Sequence, residues 1–344
     1  MNPVHRISKN YIIILLVMVV VLACGVMPAA AITVTDDAGT VITLNVTPSC
    51  IVSLAPANTE ILAALGLLDR VVGVTDVDNY PPEVNNITRI GGYSDVSIEK
   101  VAAARPDLVL ASDITPQETV DRLRGLGLTV VVVSPQNIDH VIQDIQMIGN
   151  VTGTRPLADL LARNLTDRLS AVLSCTLPSQ RPTVAHVVWN EPLYVSGNDT
   201  LQNDVILKAG GVNAFAGQSG WYTVSLEEFL MKNPDIIIVS GGGGMNSSTQ
   251  DVLLEDFMTN PQYASLSAVK NHRVYSVNSD IISRSGPRIV DAVEQMARDI
   301  HPECFVQNVT GTALPVSTPT RAPGFGAGLA VVGIGMVAFT LCRK

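Results

Sequence analysis

The chain has 344 residues, a formal net charge of -9 and only 4% aromatic residues. The acidic balance, spread without a basic patch, excludes nucleic acid as a partner. The five histidines lack HxH or HxxxH spacing, Gly241 to Gly244 lack both the Lys-Ser/Thr of a P-loop and the spacing of a dinucleotide fingerprint, and no GxSxG elbow occurs. Neither an enzyme nor a cofactor is therefore expected.

Residues 1–31 read as a signal peptide. His5, Arg6 and Lys9 form a basic region, Ile12 to Cys24 is an unbroken apolar run, and Pro28 to Ala31 offer small residues for cleavage. An uncleaved anchor ranks second because the run is short for a span. Val21-Leu22-Ala23-Cys24 also reads as a lipobox, but Leu22 is not a preferred residue there, so lipidation of Cys24 ranks below simple cleavage.

The central stretch of about 270 residues is long enough for two domains. In the first half, Ile51 to Leu54 is a predicted strand, Thr59 to Leu67 a helix closing at Gly66, Val71 to Val74 a strand, Val120 to Leu126 a helix and Thr129 to Val133 a strand. Pro156 to Cys175 contains no internal Gly or Pro, and Leu157, Leu160, Leu161, Leu165, Leu169, Val172 and Leu173 fall on helical spacing, which predicts one long joining helix. In the second half, Val184 to Trp189, Ile236 to Val239 and Val274 to Val277 are predicted strands, with helices after Leu201 and after Pro287. This alternation predicts an α/β fold of two lobes with parallel sheets. The expected organisation is an N-terminal lobe over 32–150, a connecting helix over 151–180 and a C-terminal lobe over 181–306.

A Thr/Pro-rich stalk is expected over 307–323, and a membrane anchor or sorting signal over 324–344. Phe325 to Cys342 carries no charge and Arg343-Lys344 follow it. As a helix this run measures about 27 Å, enough for a thin bilayer, with the basic pair inside. Asn45, Asn86, Asn150, Asn164, Asn198, Asn246 and Asn308 begin Asn-x-Ser/Thr sequons, a number that suits an extracytoplasmic surface. Away from the terminal segments stand Cys50, Cys175 and Cys304. Their odd count permits one disulfide and a spare thiol. Cys175 with Cys304 is the pairing taken, and three reduced core cysteines are the alternative.

An internal repeat organises the centre. Residues 97–112, SIEKVAAARPDLVLAS, match residues 225–240, SLEEFLMKNPDIIIVS, at a constant offset of 128. In each copy Ser97 or Ser225 is a predicted N-cap, Glu99 or Glu227 lies in the first helical turn, the helix stops before Pro106 or Pro234, and a continuously apolar strand follows. The repeat reaches back to an aromatic six residues before each glutamate, Tyr93 and Trp221.

Ligands of open parallel sheets bind beyond the carboxyl ends of the strands. Those ends carry Pro56, Ala57 and Asn58, then Asp76 to Tyr80, then Ser112-Asp113, and in the second half Trp189-Asn190-Glu191, Ser240 with Gly241 to Gly244, and Ser279 to Arg284. With aromatics so scarce, Tyr80, Tyr93, Trp189 and Trp221 are candidate ligand contacts in cleft loops; capping of the core edge ranks second for the two tryptophans, and local packing in its turn is the stronger alternative for Tyr80. Asp280 and Arg284 join that set. Glu99 and Glu227 each suit a helix N-terminus for about 0.3–1 kcal/mol, and as an exposed pair, one per lobe, they also suit basic sites on a partner.

SLAPANTEILAALGLLDRVVGV, DNYPPEV, SIEKVAAARPDLVLAS, LYVSGNDTLQNDVILKAGGVNAF, WYTVSLEEFLMKNPDIIIVSGG and NSDIISRSGPRI together resemble the family of ABC-importer binding proteins for cobalamin and ferric siderophores, nearest its cobalamin-binding members, over roughly residues 33–303. The resemblance implies two Rossmann-like lobes joined by a long helix, with ligand in the cleft between them. It implies that Tyr80, Tyr93 and Trp221 are aromatic cleft contacts, and that Glu99 and Glu227 dock on arginines of a dimeric ABC permease served by its ATPase. The chain departs from the cobalamin-binding pattern at Tyr93, where that pattern has Trp, at Ile281 and Ile282, where it has aromatics, and at Ala209, where it has the first half of a disulfide. Pro323-Gly324-Phe325 with the apolar run and basic end resembles an archaeal sorting signal that is exchanged for a lipid. The expected function is capture of a corrinoid outside the membrane by a monomer tethered through its C-terminus. A ferric siderophore or haem is the alternative ligand, and an anchored adhesion protein the alternative of another class.

Overall fold

The computed structural model describes residues 31–177, 179–241 and 250–306. The expectations for residues 1–30, for the stalk and for the C-terminal segment lie outside these residues. Among the described residues, no helix is long and apolar enough to cross a membrane.

The N-terminal half runs β1 (Ile32–Thr35), β2 (Val41–Leu44), β3 (Ile51–Ser53), α1 (Pro56–Ala64), β4 (Val71–Gly73), α2 (Ile98–Ala103), β5 (Leu108–Ser112), α3 (Gln117–Gly125), β6 (Val130–Val133), α4 (Ile138–Val151) and α5 (Arg155–Thr176). β1 and β2 pair as an antiparallel hairpin, and β4-β3-β5-β6 form a parallel sheet. All five residues of β5 are buried, as expected of a parallel strand covered on both faces. α1 starts three residues earlier than expected, because Pro56 occupies a first-turn position, where its fixed φ suits a helix and its missing N–H costs nothing.

The C-terminal half runs β7 (Thr183–Asn190), β8 (Leu193–Ser196), α6 (Leu201–Lys208), β9 (Val212–Asn213), β10 (Trp221–Thr223), α7 (Leu226–Lys232), β11 (Ile236–Gly241), α8 (Gln250–Thr259), α9 (Ser267–Lys270), β12 (Val274–Asn278), α10 (Ser279–Ser283), α11 (Ile289–Ile300) and α12 (Pro302–Val306). Its sheet has the order β10-β8-β7-β11-β12, with β9 also on β7. The expected parallel sheet forms its core, and an antiparallel edge that was not expected is added to it. Asn190 pairs with Leu193, so only Glu191 and Pro192 connect β7 to β8, and a two-residue link permits only an antiparallel neighbour. β8 and β10 are therefore an antiparallel extension of a parallel β7-β11-β12 core.

The long joining helix is α5, whose buried stripe is Ala158, Ala162, Leu165, Leu169, Val172 and Thr176. Leu157 and Leu160, expected on that stripe, are exposed. Small residues take the contact instead, because α4 approaches so closely that a Cβ at Gly149 would collide with that of Ala158. One apolar cluster runs from Ile51 and Leu110 through α4 and α5 to Val205 and α11, so the two halves share a core along the joining helix. At its far end α5 is tied to α12 by the Cys175–Cys304 disulfide, whose Cα atoms lie 5.8 Å apart.

The repeat recurs in three dimensions. Ser97 and Ser225 cap their helices by accepting from the N–H groups of Lys100 and Glu228. Arg105 and Asn233, 128 residues apart, both adopt the left-handed conformation that ends the helix, at φ 49° and 40°. Asp107 accepts from the backbones of Ser49 and Cys50, ahead of β3, and Asp235 accepts from that of Thr183, which opens β7. Each repeat aspartate thus holds the amino end of the strand beside its own.

Candidate functional site

In the N-terminal lobe, α1 opens directly beyond β3. Pro56 and Ala57 are partly exposed at its start, whereas Asn58 is 1% exposed and its amide donates to Ala111 O at 3.0 Å, bracing α1 against β5. Beneath lies a buried polar chain in which Thr59 Oγ1 donates to Ser53 Oγ (2.8 Å) and Ser53 Oγ donates to Ala55 O (3.0 Å). Asp78 is buried beside them and accepts from the Thr75 N–H, so the loop carrying Tyr80 is held from below. Burial pushes the Asp78 carboxyl above its ordinary pKa, against the hydrogen bonds from Thr59 and Thr75.

From the other lobe, the segment after β12 meets this surface. Arg284 donates to Glu60 Oε1 (2.9 Å) and to Asn79 Oδ1 (2.8 Å), and pairs with Asp280 at 3.0 Å. Arg288 donates through Nε to Glu60 Oε2 at 2.9 Å and stands 3.8 Å from the centre of the Tyr80 ring. Asn79 donates to Asp280 Oδ2 at 3.0 Å. The Glu60 side chain is 2% exposed, so the carboxylate at the centre of this network is buried at the lobe boundary, while Asn79 and Tyr80 stay exposed at its edge. It brings together three predicted contacts, Tyr80, Asp280 and Arg284, and adds Glu60, Asn79 and Arg288.

The second cluster lies on the antiparallel edge of the C-terminal sheet. Trp221 stacks on Tyr194 with ring centroids 5.8 Å apart and planes at 17°, and meets the His186 ring edge-on at 5.8 Å. Trp221 opens β10 and Trp189 lies within β7, so neither stands in a loop as expected. His186 is buried between two serine hydroxyls, Ser196 Oγ at 3.2 Å from Nδ1 and Ser240 Oγ at 2.9 Å from Nε2. Burial lowers its pKa to about 3, so the ring is neutral. The result is a flat aromatic surface, half in solvent, on an uncharged polar base.

Tyr93 is half-buried in the turn bridged by Gly91 and Val96, and Trp189 is 50% exposed with its indole N–H donating to Glu191 O. Among the described residues, no ring contact joins either to Trp221. Glu99 and Glu227 are both exposed in the first turns of α2 and α7. A polar surface cavity lined by Ser179, Asp235, Arg273 and His301 opens at the amino ends of the C-terminal strands, the end away from the predicted contacts.

Residues 51–281 match the model of the periplasmic binding protein family. The chain belongs to that family. Its members are extracytoplasmic substrate-binding proteins, not enzymes, that deliver small ligands to ABC permeases. An ABC transporter substrate-binding lipoprotein of Bacillus subtilis (strain 168), YvrC, itself uncharacterized, is 34% identical over 80% of this chain and 87% of its own length. The crystal structure of the periplasmic vitamin B12 binding protein BtuF of Vibrio cholerae superposes with a TM-score of 0.67 at 27% identity, over 76% of this chain and 99% of that one. A possible iron-binding, periplasmic solute-binding protein from Staphylococcus epidermidis superposes with a TM-score of 0.65 at 30% identity, over 74% of this chain and all of that one. This periplasmic binding protein has the two-lobed α/β fold of those structures.

Several residues of its site were not singled out from sequence. Arg284 ends one helix and Arg288 precedes the next, with Gly286 and Pro287 between them, so their spacing carried no helical signal that both would meet Glu60. His186 carried none, because its partners Ser196 and Ser240 come from other strands.

Proposed function

We propose that the cleft between the lobes captures a corrinoid, cobalamin being the leading candidate, and hands it to a dimeric ABC permease driven by its ATPase. The observation that carries this reading is the stacked Tyr194–Trp221 surface over neutral His186, which suits one face of a large flat ring. Tyr93 and Tyr80 approach from the opposite lobe, with Pro56 and Ala57 at the start of α1, while Trp189 supplies a rim contact. Asn58, Asp280 and Arg284 act by holding these surfaces in place. The likeness to a vitamin B12 binding protein supports the same ligand class. The resemblance to a possible iron-binding protein favours a ferric chelate as the second reading. Exposed Glu99 and Glu227 serve as the docking pair for basic residues of the permease. The binding protein works as a monomer, with lobes over 32–150 and 181–306, and the segment after residue 306 tethers it to the outer face of the membrane.

Quenching of tryptophan fluorescence tests the ligand. Cobalamin is expected to quench saturably and tightly, with haem and a panel of ferric siderophores binding at least tenfold more weakly. The opposite order would replace the corrinoid by the iron chelate in the same cleft.

A further inference from the structure

The turn after β1 is held to α4 by a cluster that ligand capture does not use. Asp37 lies in that turn, and its carboxylate is fixed from below by the N–H of Ser134. His140 and Asp144 stand at i,i+4 on α4, on one face of the helix. His140 Nε2 is 3.3 Å from Asp37 Oδ1 and 3.8 Å from Asp144 Oδ1. One donor atom from each residue fits within a 4.8 Å circle of mutual distances. The Asp144 side chain is only 3% exposed, and its Oδ2 is buried with no hydrogen-bond partner. A buried carboxylate oxygen without a donor is costly, and here a second carboxylate lies beside it. A cation would relieve both penalties.

We propose that Asp37, His140 and Asp144 form a binding site for a divalent transition-metal ion of the zinc type. Ligand atoms about 2.0–2.2 Å from a tetrahedral ion lie roughly 3.3–3.6 Å from one another. The separations of 3.3 and 3.8 Å match that spacing with little adjustment. One imidazole nitrogen and two carboxylate oxygens leave the fourth position to water. Calcium asks for six to eight oxygen ligands, so a three-residue set containing a histidine selects against it. The Gln136 N–H stands 3.4 Å from His140 Nδ1, a long contact that favours a proton on Nε2 in the ion-free protein. Ion uptake moves that proton to Nδ1 and gives up this contact, while the ring, 31% exposed, turns Nδ1–H toward water. The adjoining residues tie the site to the other lobe. The Ile138 N–H donates to Asp204 Oδ2 at 2.8 Å, and Lys208 pairs with Asp139 at 3.0 Å. An ion here would fasten the N-terminal hairpin to the helix that meets α6.

The test uses the full chain, stripped with chelator and titrated with Zn2+, Mn2+, Ca2+ and Mg2+ by calorimetry and thermal melting. One zinc equivalent is expected to bind and raise Tm by several degrees, with Ca2+ and Mg2+ giving little. Asp144→Asn and His140→Ala should each weaken zinc binding at least tenfold. Should those variants fold poorly, Asp37→Asn, which alters a partly exposed residue, and the visible absorption of bound Co2+ in the unaltered protein report on the same site. Absence of zinc binding to the unaltered chain, or equal binding by the variants, would overturn the proposal.

Discussion

Glu60 of the N-terminal lobe accepts a hydrogen bond from Arg288 Nε of the C-terminal lobe at 2.9 Å, with the glutamate side chain 2% exposed. The pair joins the first helix of one lobe to the segment after the last strand of the other, and Arg284 doubles it on the second carboxylate oxygen. Removing one partner of a buried ion pair leaves the other unsatisfied, at about 3–5 kcal/mol when both are deeply buried. Arg288 keeps 21% exposure, so the cost here is smaller. Glu60→Gln is expected to lower Tm and to open the lobes, seen as a larger radius of gyration in small-angle scattering. Arg288→Ala should do the same, and the double variant should add little to either. Fully additive losses would show that the two residues act apart.

Trp221 is 37% exposed and its main ring partner is Tyr194. An aromatic pair of this kind is worth about 0.5–1.5 kcal/mol, so the fold tolerates its loss. Trp221→Ala should weaken ligand binding at least tenfold, about 1.4 kcal/mol, with Tm nearly unchanged. A fall in Tm that accounts for the loss of binding would mark Trp221 as a packing residue.

His186 links the site to pH. The unfolded chain takes up its proton near the ordinary value of 6.5, and the folded protein only near 3, because burial penalises the charged ring. This contribution to stability is present above pH 6.5 and drains away as pH falls from about 6.5 to about 3. His186→Gln keeps a polar group between Ser196 and Ser240 without titrating. Its Tm is expected to fall less steeply than that of the parent across that window. Parallel acid melting curves would mean that other groups set the slope.

Glu99 and Glu227 sit in first helical turns and need no partner to be stable there. Docking makes a separate demand. Glu99→Ala and Glu227→Ala should each leave ligand affinity intact yet reduce uptake into proteoliposomes carrying the cognate permease, and the double variant should nearly abolish uptake. Reversal to Arg should be worse than Ala, since like charges then meet across the interface. Undiminished transport by the double variant would reduce the glutamates to helix-end residues.

Much of the fold was legible because it is written locally. The repeat carries its own N-cap, helix stop and apolar strand, so Ser97 with Pro106 and Ser225 with Pro234 announce two equal units, and the apolar spacing of α5 announces the joining helix. The antiparallel edge was not legible, because β8 and β10 are short, and they become strands only by pairing with β7 and with each other. That edge carries Tyr194 and Trp221, so the stacked surface and its buried histidine were decided by tertiary structure alone. The same holds for Glu60, Arg288 and the Asp37–His140–Asp144 cluster. A lone charged or polar side chain has no periodic signature, and its role is set by the partner that folding brings to it from a distant part of the chain.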